Sequence, residues 1–349
     1  VNQSHRLRRI GVTTAALLTV IGLSATSIPS ASAATGDRGL YGADDPTYDG
    51  VWRQSTALAG LAANGIAPPS AAVSWLLGQQ CVDGSFQAYR SETAMPCPKS
   101  DPANYTGPDT NQTAAAAIAL MSLDNESIRM PQSLRNQVVD AADAAVRWLA
   151  GHQNRDGGWP YYPGGASDAA STGLSLAALM TQAPSLATPA YKKAVRFLAT
   201  LTSACAAGGG VSYQAGSKPD GLTTAQATAG VVAAFPVRPA RTLAVAVPCA
   251  NTVAAKGTSY LASNLADDGL LTSALGSGPD YEDTALAVVD LAASGKGRAV
   301  VVKATNALKA AAPAFVNGEN GARPGAAGAL LLVTGATKLR PTAFGGVNL

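Results

Sequence analysis

Histidine is nearly missing from this sequence. The chain of 349 residues has two, and one of them, His5, sits in a basic head beside Arg6, Arg8 and Arg9. Only His152 remains for the rest. A catalytic zinc site needs ligands such as histidine, thiolate and carboxylate around an open position, and a Ser-His-Asp mechanism would have to use His152. Neither finds a convincing second residue, so neither a metal nor a cofactor is expected. Aromatic residues are also scarce, with five Phe, four Trp and ten Tyr. Charge is sparse and nearly balanced, 25 Lys+Arg against 22 Asp+Glu, and three of the arginines lie in the head. The body is therefore close to neutral. It offers no electrostatic footprint for nucleic acid and no polybasic patch for a membrane. The one long apolar run, residues 10–23, is too short for a comfortable membrane span, and no membrane insertion of the remainder is expected.

The basic head, the short apolar run and the Ala31-Ser32-Ala33 site that follows describe a secretory signal peptide, residues 1–33, cleaved near Ala33. The remaining residues, 34–349, suffice for one large domain in a secreted, extracellular protein. Four cysteines fall in that part, and an even count in an exported chain suggests two disulfides. Three connectivities exist. Cys81–Cys97 and Cys205–Cys249 are favoured because each closes one loop between recurring elements.

What the chain has in abundance is alanine and glycine, arranged as a repeat. "TALAGLAANG" (56–65) and "TALAVVDLAASG" (284–295) share a Thr, an alanine-rich apolar helix and a glycine stop. The element recurs from Thr113, Thr172 and Thr224, and more weakly at 324–335. These helices are apolar almost all round, which implies burial on every side. Between them come one-sided, amphipathic stretches at 71–78, 138–150, 191–201, 257–265 and 301–311. Glycine turns at 82–86, 155–159, 207–211, 267–271 and 319–323 link the two types, and 37–41 opens the series without a preceding helix. Glycine suits these turns because it tolerates the left-handed conformation that ends helices. Six buried helices inside a ring of outer ones predict an all-α fold, an α/α toroid (α6/α6 barrel). An open superhelix would leave each inner helix one polar face, which these lack.

The turn "QNRDGGW" (153–159), with Gln153, Gly157 and Trp159, resembles the Q-x3-G-x-W motif of the squalene/terpene cyclase and prenyltransferase repeat superfamily. "QCVDGSF" (80–86), with Gln80, Gly84 and Phe86, fits with Phe in the last place. The resemblance implies an α/α toroid, a fold that also serves protein prenyltransferase β-subunits, thioester domains of complement-like proteins and cobalamin carriers. It implies structural roles for those six residues, with His152 a passenger at a helix end. Prenyltransferase zinc ligands are not matched here, nor is the Cys-Gly-Glu-Gln run of the thioester domains. Class II cyclases carry D-x-D-D-T-A at an inner-helix start, where the middle acid protonates an alkene. This chain reads Asp280-Tyr281-Glu282-Asp283-Thr284-Ala285, with Glu282 in the donor's place. Neighbouring carboxylates can hold a proton, because like charges raise each other's pKa.

A plainer role competes. Asp stands four residues before Thr in three other repeats, at Asp109, Asp168 and Asp220, which is where an N-cap satisfies free backbone N–H groups. Only Glu282 and Asp283 exceed that pattern. Parallel inner helices should gather Asp109, Asp168, Asp220 and Asp280 at one end of the barrel, with Tyr161, Tyr162, Tyr213 and Tyr281 in the adjoining loops. A polar, tyrosine-bearing mouth over an alanine-lined centre suits a ligand. The expected function is therefore non-catalytic binding of a small hydrophobic or cofactor-like molecule, or of a cell-envelope partner. The alternatives are a class II cyclase-like isomerase using Glu282, Asp280 and Asp283, and a carbohydrate-active enzyme, for which two carboxylates suffice.

Overall fold

The computed structural model describes residues 39–349 except 183 and 275, and the proposed signal peptide lies outside the described residues. Eleven α-helices are found among them: α1 (Gly50–Ala63), α2 (Ser70–Gly78), α3 (Thr110–Leu123), α4 (Gln132–Gly151), α5 (Ala169–Gln182), α6 (Pro184–Leu201), α7 (Gly221–Val231), α8 (Val253–Asn264), α9 (Tyr281–Ser294), α10 (Arg298–Phe315) and α11 (Pro324–Thr337). The odd-numbered helices are the apolar ones. Each packs on the next odd-numbered helix, and α11 packs back on α1, so the ring closes. The even-numbered helices lie outside and run back between successive inner helices. The fold is an all-α toroid, as the apolar character of the inner helices requires.

Closure depends on the absence of side chains at the seam. A Cβ on Gly328 of α11 would lie 2.6 Å from Ala57 N of α1, and one on Gly60 of α1 would lie 2.6 Å from Gly328 O. The same close approach joins α5 to α7 through Gly173 and Gly230. Helices without side chains at their crossing pack backbone to backbone, and this draws the ring tight.

The glycine turns are tied in two directions. Gln153 Nε2 donates to Gly157 O within its own turn (2.8 Å) and to Ala190 O of α6 (3.1 Å). Gln80 repeats this with Gly84 O and Ala141 O of α4. Gly157 has φ +96°, and a Cβ there would sit 2.6 Å from Lys193 O, so the turn lies directly on the next outer helix. The last residue of each motif is then held by an inner helix: Phe86 N donates to Thr113 Oγ1 (3.0 Å), Trp159 N to Thr172 Oγ1, Val211 N to Thr224 Oγ1 and Leu271 N to Thr284 Oγ1 (each 2.9 Å). Trp159 is fully buried, and its indole Nε1 donates to Leu149 O at 2.7 Å.

The first repeat departs from the sequence reading. Its counterpart of the recurring Thr is Gln54, not Thr56: Tyr41 N donates to Gln54 Oε1 (2.9 Å), thirteen residues apart as in the Trp159, Val211 and Leu271 pairs. Gln54 Nε2 also reaches Gly39 O and Ala72 O. With no helix ahead of this turn among the described residues, one side chain takes both the glutamine's and the threonine's task. Both favoured disulfides are present, Cys81–Cys97 and Cys205–Cys249, and they staple the two long loops that follow α2 and α7. No helix of the described residues is long and apolar enough to cross a membrane.

Candidate functional site

The four recurring aspartates meet at one end of the barrel, and each is tied to its own helix. Asp109 Oδ1 accepts from Gln112 N (2.8 Å), Asp168 Oδ1 from Ser171 N (2.7 Å), Asp220 Oδ1 from Thr223 N (2.7 Å) and Asp280 Oδ1 from Asp283 N (2.9 Å). These are N-caps that satisfy the free donors of a helix start. Short antiparallel pairings set the turns against them: Phe86 faces Asp109, Trp159 faces Asp168 and Leu271 faces Asp280. Burial pushes the carboxyls of Asp109 and Asp168 up to about 7 and about 6.

Three of the four expected tyrosines gather over these caps. Tyr161 and Tyr162 lie 4.9 Å apart between ring centres, and Tyr105 meets Tyr162 edge-on at 6.2 Å. Tyr213 hydrogen-bonds Asp168, and burial followed by the Asp168 charge pushes its hydroxyl up to about 12. The backbone explains their position. Thr110 N, at the start of α3, donates to Tyr161 O, and Ala169 N, at the start of α5, donates to Tyr213 O, so each loop is lashed over the preceding repeat. Tyr281 does not join them: its ring packs on Phe315 of α10 at 5.1 Å. His152 ends α4, where its ring stacks on Trp148 at 4.0 Å.

None of the four cap carboxyls lines the interior. The ring encloses a cavity of about 230 Å³, and the acids that reach it are Glu282 and Asp283 of α9. Its other walls are mostly aliphatic, among them Ala59, Ile118, Leu174 and Leu332, with Trp52 and Phe235 also on the lining. Glu282 is exposed on the cavity side of the protein, beside the start of the neighbouring inner helix α11. A Cβ on Gly325 would lie 3.9 Å from its Oε1, an ordinary contact distance. Burial, then the charges of Asp280 and Asp49, raise the Glu282 pKa above the ordinary carboxylate range.

Asp283 is 6% exposed. Burial first, then the neighbouring Asp280 charge, push its carboxyl up to about 8, so it holds a proton at neutral pH. Its side chain hydrogen-bonds the Asp280 carboxyl, and no protein donor reaches Asp283 Oδ2. Two carboxyls share a hydrogen bond only when one of them is protonated. The other polar residues on the cavity are Thr56, Gln226 and Ser55; Ser55 of α1 is 1% exposed, and its Oγ has no protein partner. A buried hydroxyl without a partner costs about 1–3 kcal/mol, and a ligand atom that bonds it recovers that cost. Sequence reasoning found the two acids through their departure from the repeat. It missed Ser55, Trp52 and Phe235, which carry no motif and become neighbours only when the ring closes. Among the described residues, no group of three or more His, Cys, Asp or Glu side chains is placed to hold a metal ion.

No protein-family model matches the chain, and no curated protein matches it. Its likeness is to solved structures. A type II terpene cyclase variant from Scytonema, in complex with its product merosterolic acid A, is 18% identical with a TM-score of 0.50, over 80% of this chain and 75% of that one. A wild-type glycosidase is 14% identical with a TM-score of 0.52, over 85% of this chain and 91% of that one. At these identities the likeness is one of fold, and the α/α toroid hosts unrelated chemistries.

Proposed function

We propose that this toroid binds a small, largely apolar molecule in its central cavity and holds the molecule's one polar group between Glu282, Asp283 and Ser55. The observation that carries the reading is the pairing of an aliphatic chamber with buried polar groups that lack protein partners, Ser55 Oγ above all. An apolar pocket with a few convergent polar groups is the usual form of a small-molecule site. The Asp283 proton is engaged with Asp280, so its free Oδ2 accepts from a ligand hydroxyl, and Ser55 either donates or accepts. The cap carboxyls of Asp109, Asp168, Asp220 and Asp280 build the rim of the site and stay with their helices. The two disulfides agree with an exported protein, and the basic head with its Ala31-Ser32-Ala33 site supports the same localisation. The likeness of the glutamine turns and of D-x-E-D-T-A to the squalene/terpene cyclase and prenyltransferase repeat proteins supports placing the chain beside them.

Native mass spectrometry of the chain purified from its host tests the reading. The expected result is a bound small molecule that is lost on Ser55→Ala together with Glu282→Gln. A chain that carries none, and that binds none of a panel of terpenoid alcohols by titration calorimetry, overturns it.

One observation favours a second, catalytic reading. Two acids, Glu282 and Asp283, line an apolar cavity. Glu282, the residue in the cyclase donor's place, has no competing hydrogen bond among the described residues and can carry the proton that adds to an alkene. In that reading the proton adds to a terminal double bond, the resulting cation closes a ring, and a proton lost from carbon completes a net isomerisation. Trp52 and Phe235 are the aromatic faces on the cavity available to such a cation. Incubation with linear isoprenoids separates the two readings. Cyclic product formed by the wild type and abolished by Glu282→Gln or Asp283→Asn supports catalysis; recovery of unchanged ligand supports binding alone.

A further inference from the structure

Phe235 belongs to two hollows at once. It follows α7 and lines the central cavity, and it also lines a second hollow of about 460 Å³ at the C-terminal ends of the inner helices. The walls of that second hollow include Met180 at the end of α5 and Ala292 and Ala293 at the end of α9, and its loop side is polar, with Arg238, Arg241 and Thr242. Among the described residues, no other side chain lines both. The loop that roofs the second hollow is fixed to the barrel by backbone bonds, Ala240 N to Ala336 O of α11 (2.9 Å) and Ala244 N to Gly295 O just after α9 (2.8 Å). The loop is stapled further along by Cys249 to Cys205. A fixed loop, a mostly buried phenyl ring and a hollow on each side of it describe a partition between an apolar chamber and a more polar recess beyond it.

The position of the polar groups gives that chamber a direction. Glu282 and Asp283 sit in the first turn of α9, and Ala292 and Ala293 sit near its end. A molecule anchored by its oxygen at the acids extends along the lumen toward Phe235. The ring stops it there, because the cavity walls ahead of it are small aliphatic side chains and the ring itself is held in the core. We propose that Phe235 sets the length of molecule the central cavity accepts, and that the hollow beyond it becomes part of the site when the ring is removed. This rests on the binding reading above.

The experiment uses three linear isoprenoid alcohols of increasing length, geraniol, farnesol and geranylgeraniol, titrated calorimetrically into the wild type, Phe235→Ala and Phe235→Trp, each checked for folding by circular dichroism. The wild type is expected to favour geraniol over geranylgeraniol by about tenfold or more, since a chain too long for an apolar pocket loses this much. Phe235→Ala is expected to invert the order, and adding Ala293→Trp to it should restore the wild-type order by refilling the new space. Phe235→Trp is expected to weaken farnesol while leaving geraniol bound. If Phe235→Ala does not fold, Phe235→Leu takes its place with a smaller shift in the same direction. A wild type that binds none of the three alcohols sinks the binding reading itself. A wild type that binds them, with folded variants that keep its order of preference, overturns the partition and leaves the binding reading standing.

Discussion

Asp283 hydrogen-bonds Asp280, the residue that caps the same helix. In α5 and α7 the corresponding place holds a hydroxyl: Ser171 Oγ donates to Asp168 Oδ2 and Thr223 Oγ1 to Asp220 Oδ2, both at 2.9 Å. A hydroxyl brings its own proton to that bond. A carboxyl must take one up, and α9 is therefore the inner helix that pays for its cap with a protonated acid facing the cavity.

That substitution makes stability depend on pH in a stated direction. Asp283 has its carboxyl raised from 3.8 to about 8 in the folded chain. The folded state binds the extra proton between those values, so the contribution is fully present below about pH 4 and is lost as pH rises through 8. Asp109 and Asp168, raised to about 7 and about 6, act in the same sense at lower pH. Asp283→Ser restores the hydroxyl of α5 and α7. It is expected to stabilise the chain clearly more at pH 8 than at pH 4. Urea denaturation at the two pH values measures this, and an equal effect at both would contradict the protonated assignment.

Trp159 and His152 are seven residues apart and should behave oppositely. Trp159 is fully buried and its indole is hydrogen-bonded to Leu149 O. Trp159→Ala is expected to cost about 3–5 kcal/mol. His152 is held by a stack on Trp148 and by a contact from its Nδ1 to Trp148 O at a helix end, and His152→Ala should change stability by roughly 0.5 kcal/mol or less. Thermal unfolding of both variants checks the pair. Loss of ligand binding in a normally folded His152→Ala would give that ring a role the turn does not explain.

Removal of the Cys81–Cys97 bridge is expected to lower stability by about 3 kcal/mol, because it closes a loop of 16 residues in the unfolded chain. Cys81→Ser with Cys97→Ser, compared with the wild type in denaturant without reductant, gives the number. A similar loss on adding reductant to the wild type, with none in the double variant beyond that of Cys205–Cys249, assigns the effect to the bridge.

The fold was legible because its signals are local. Asp109 and Thr113 stand four residues apart on one helix start, and the repeat of that spacing at Asp168, Asp220 and Asp280 announces parallel inner helices before any contact is known. Gln153, Gly157 and Trp159 are similarly close in sequence, and their bonds are the ones that such a turn needs. Legibility ends where function passes to neighbours made by closure. Ser55 and Asp283 line the same cavity from the first and fifth inner helices, and Phe235 reaches it from a loop. Gln54 was concealed because the first turn has no helix before it to supply a glutamine. Tyr281 shares its repeat position with no other tyrosine, and its ring followed the outer helix α10 instead of the mouth.

The seam between α1 and α11 tests whether closure itself holds the cavity. Gly328 meets the α1 backbone so closely that a Cβ would sit 2.6 Å from Ala57 N, an atom that cannot yield as a flexible side chain can. Gly328→Ala is therefore expected to destabilise by about 1–3 kcal/mol through overpacking. Because Ser55 is on α1 and Glu282 lies beside the start of α11, it should also weaken ligand binding by spreading those walls apart. Gly78, at the end of α2, has open space around it, and Gly78→Ala should leave stability within roughly 0.5 kcal/mol of the wild type. Unfolding and ligand titration of the two variants side by side separate the effect of the seam from the general effect of losing a glycine. Equal behaviour of the two would mean that the ring tolerates opening at its seam.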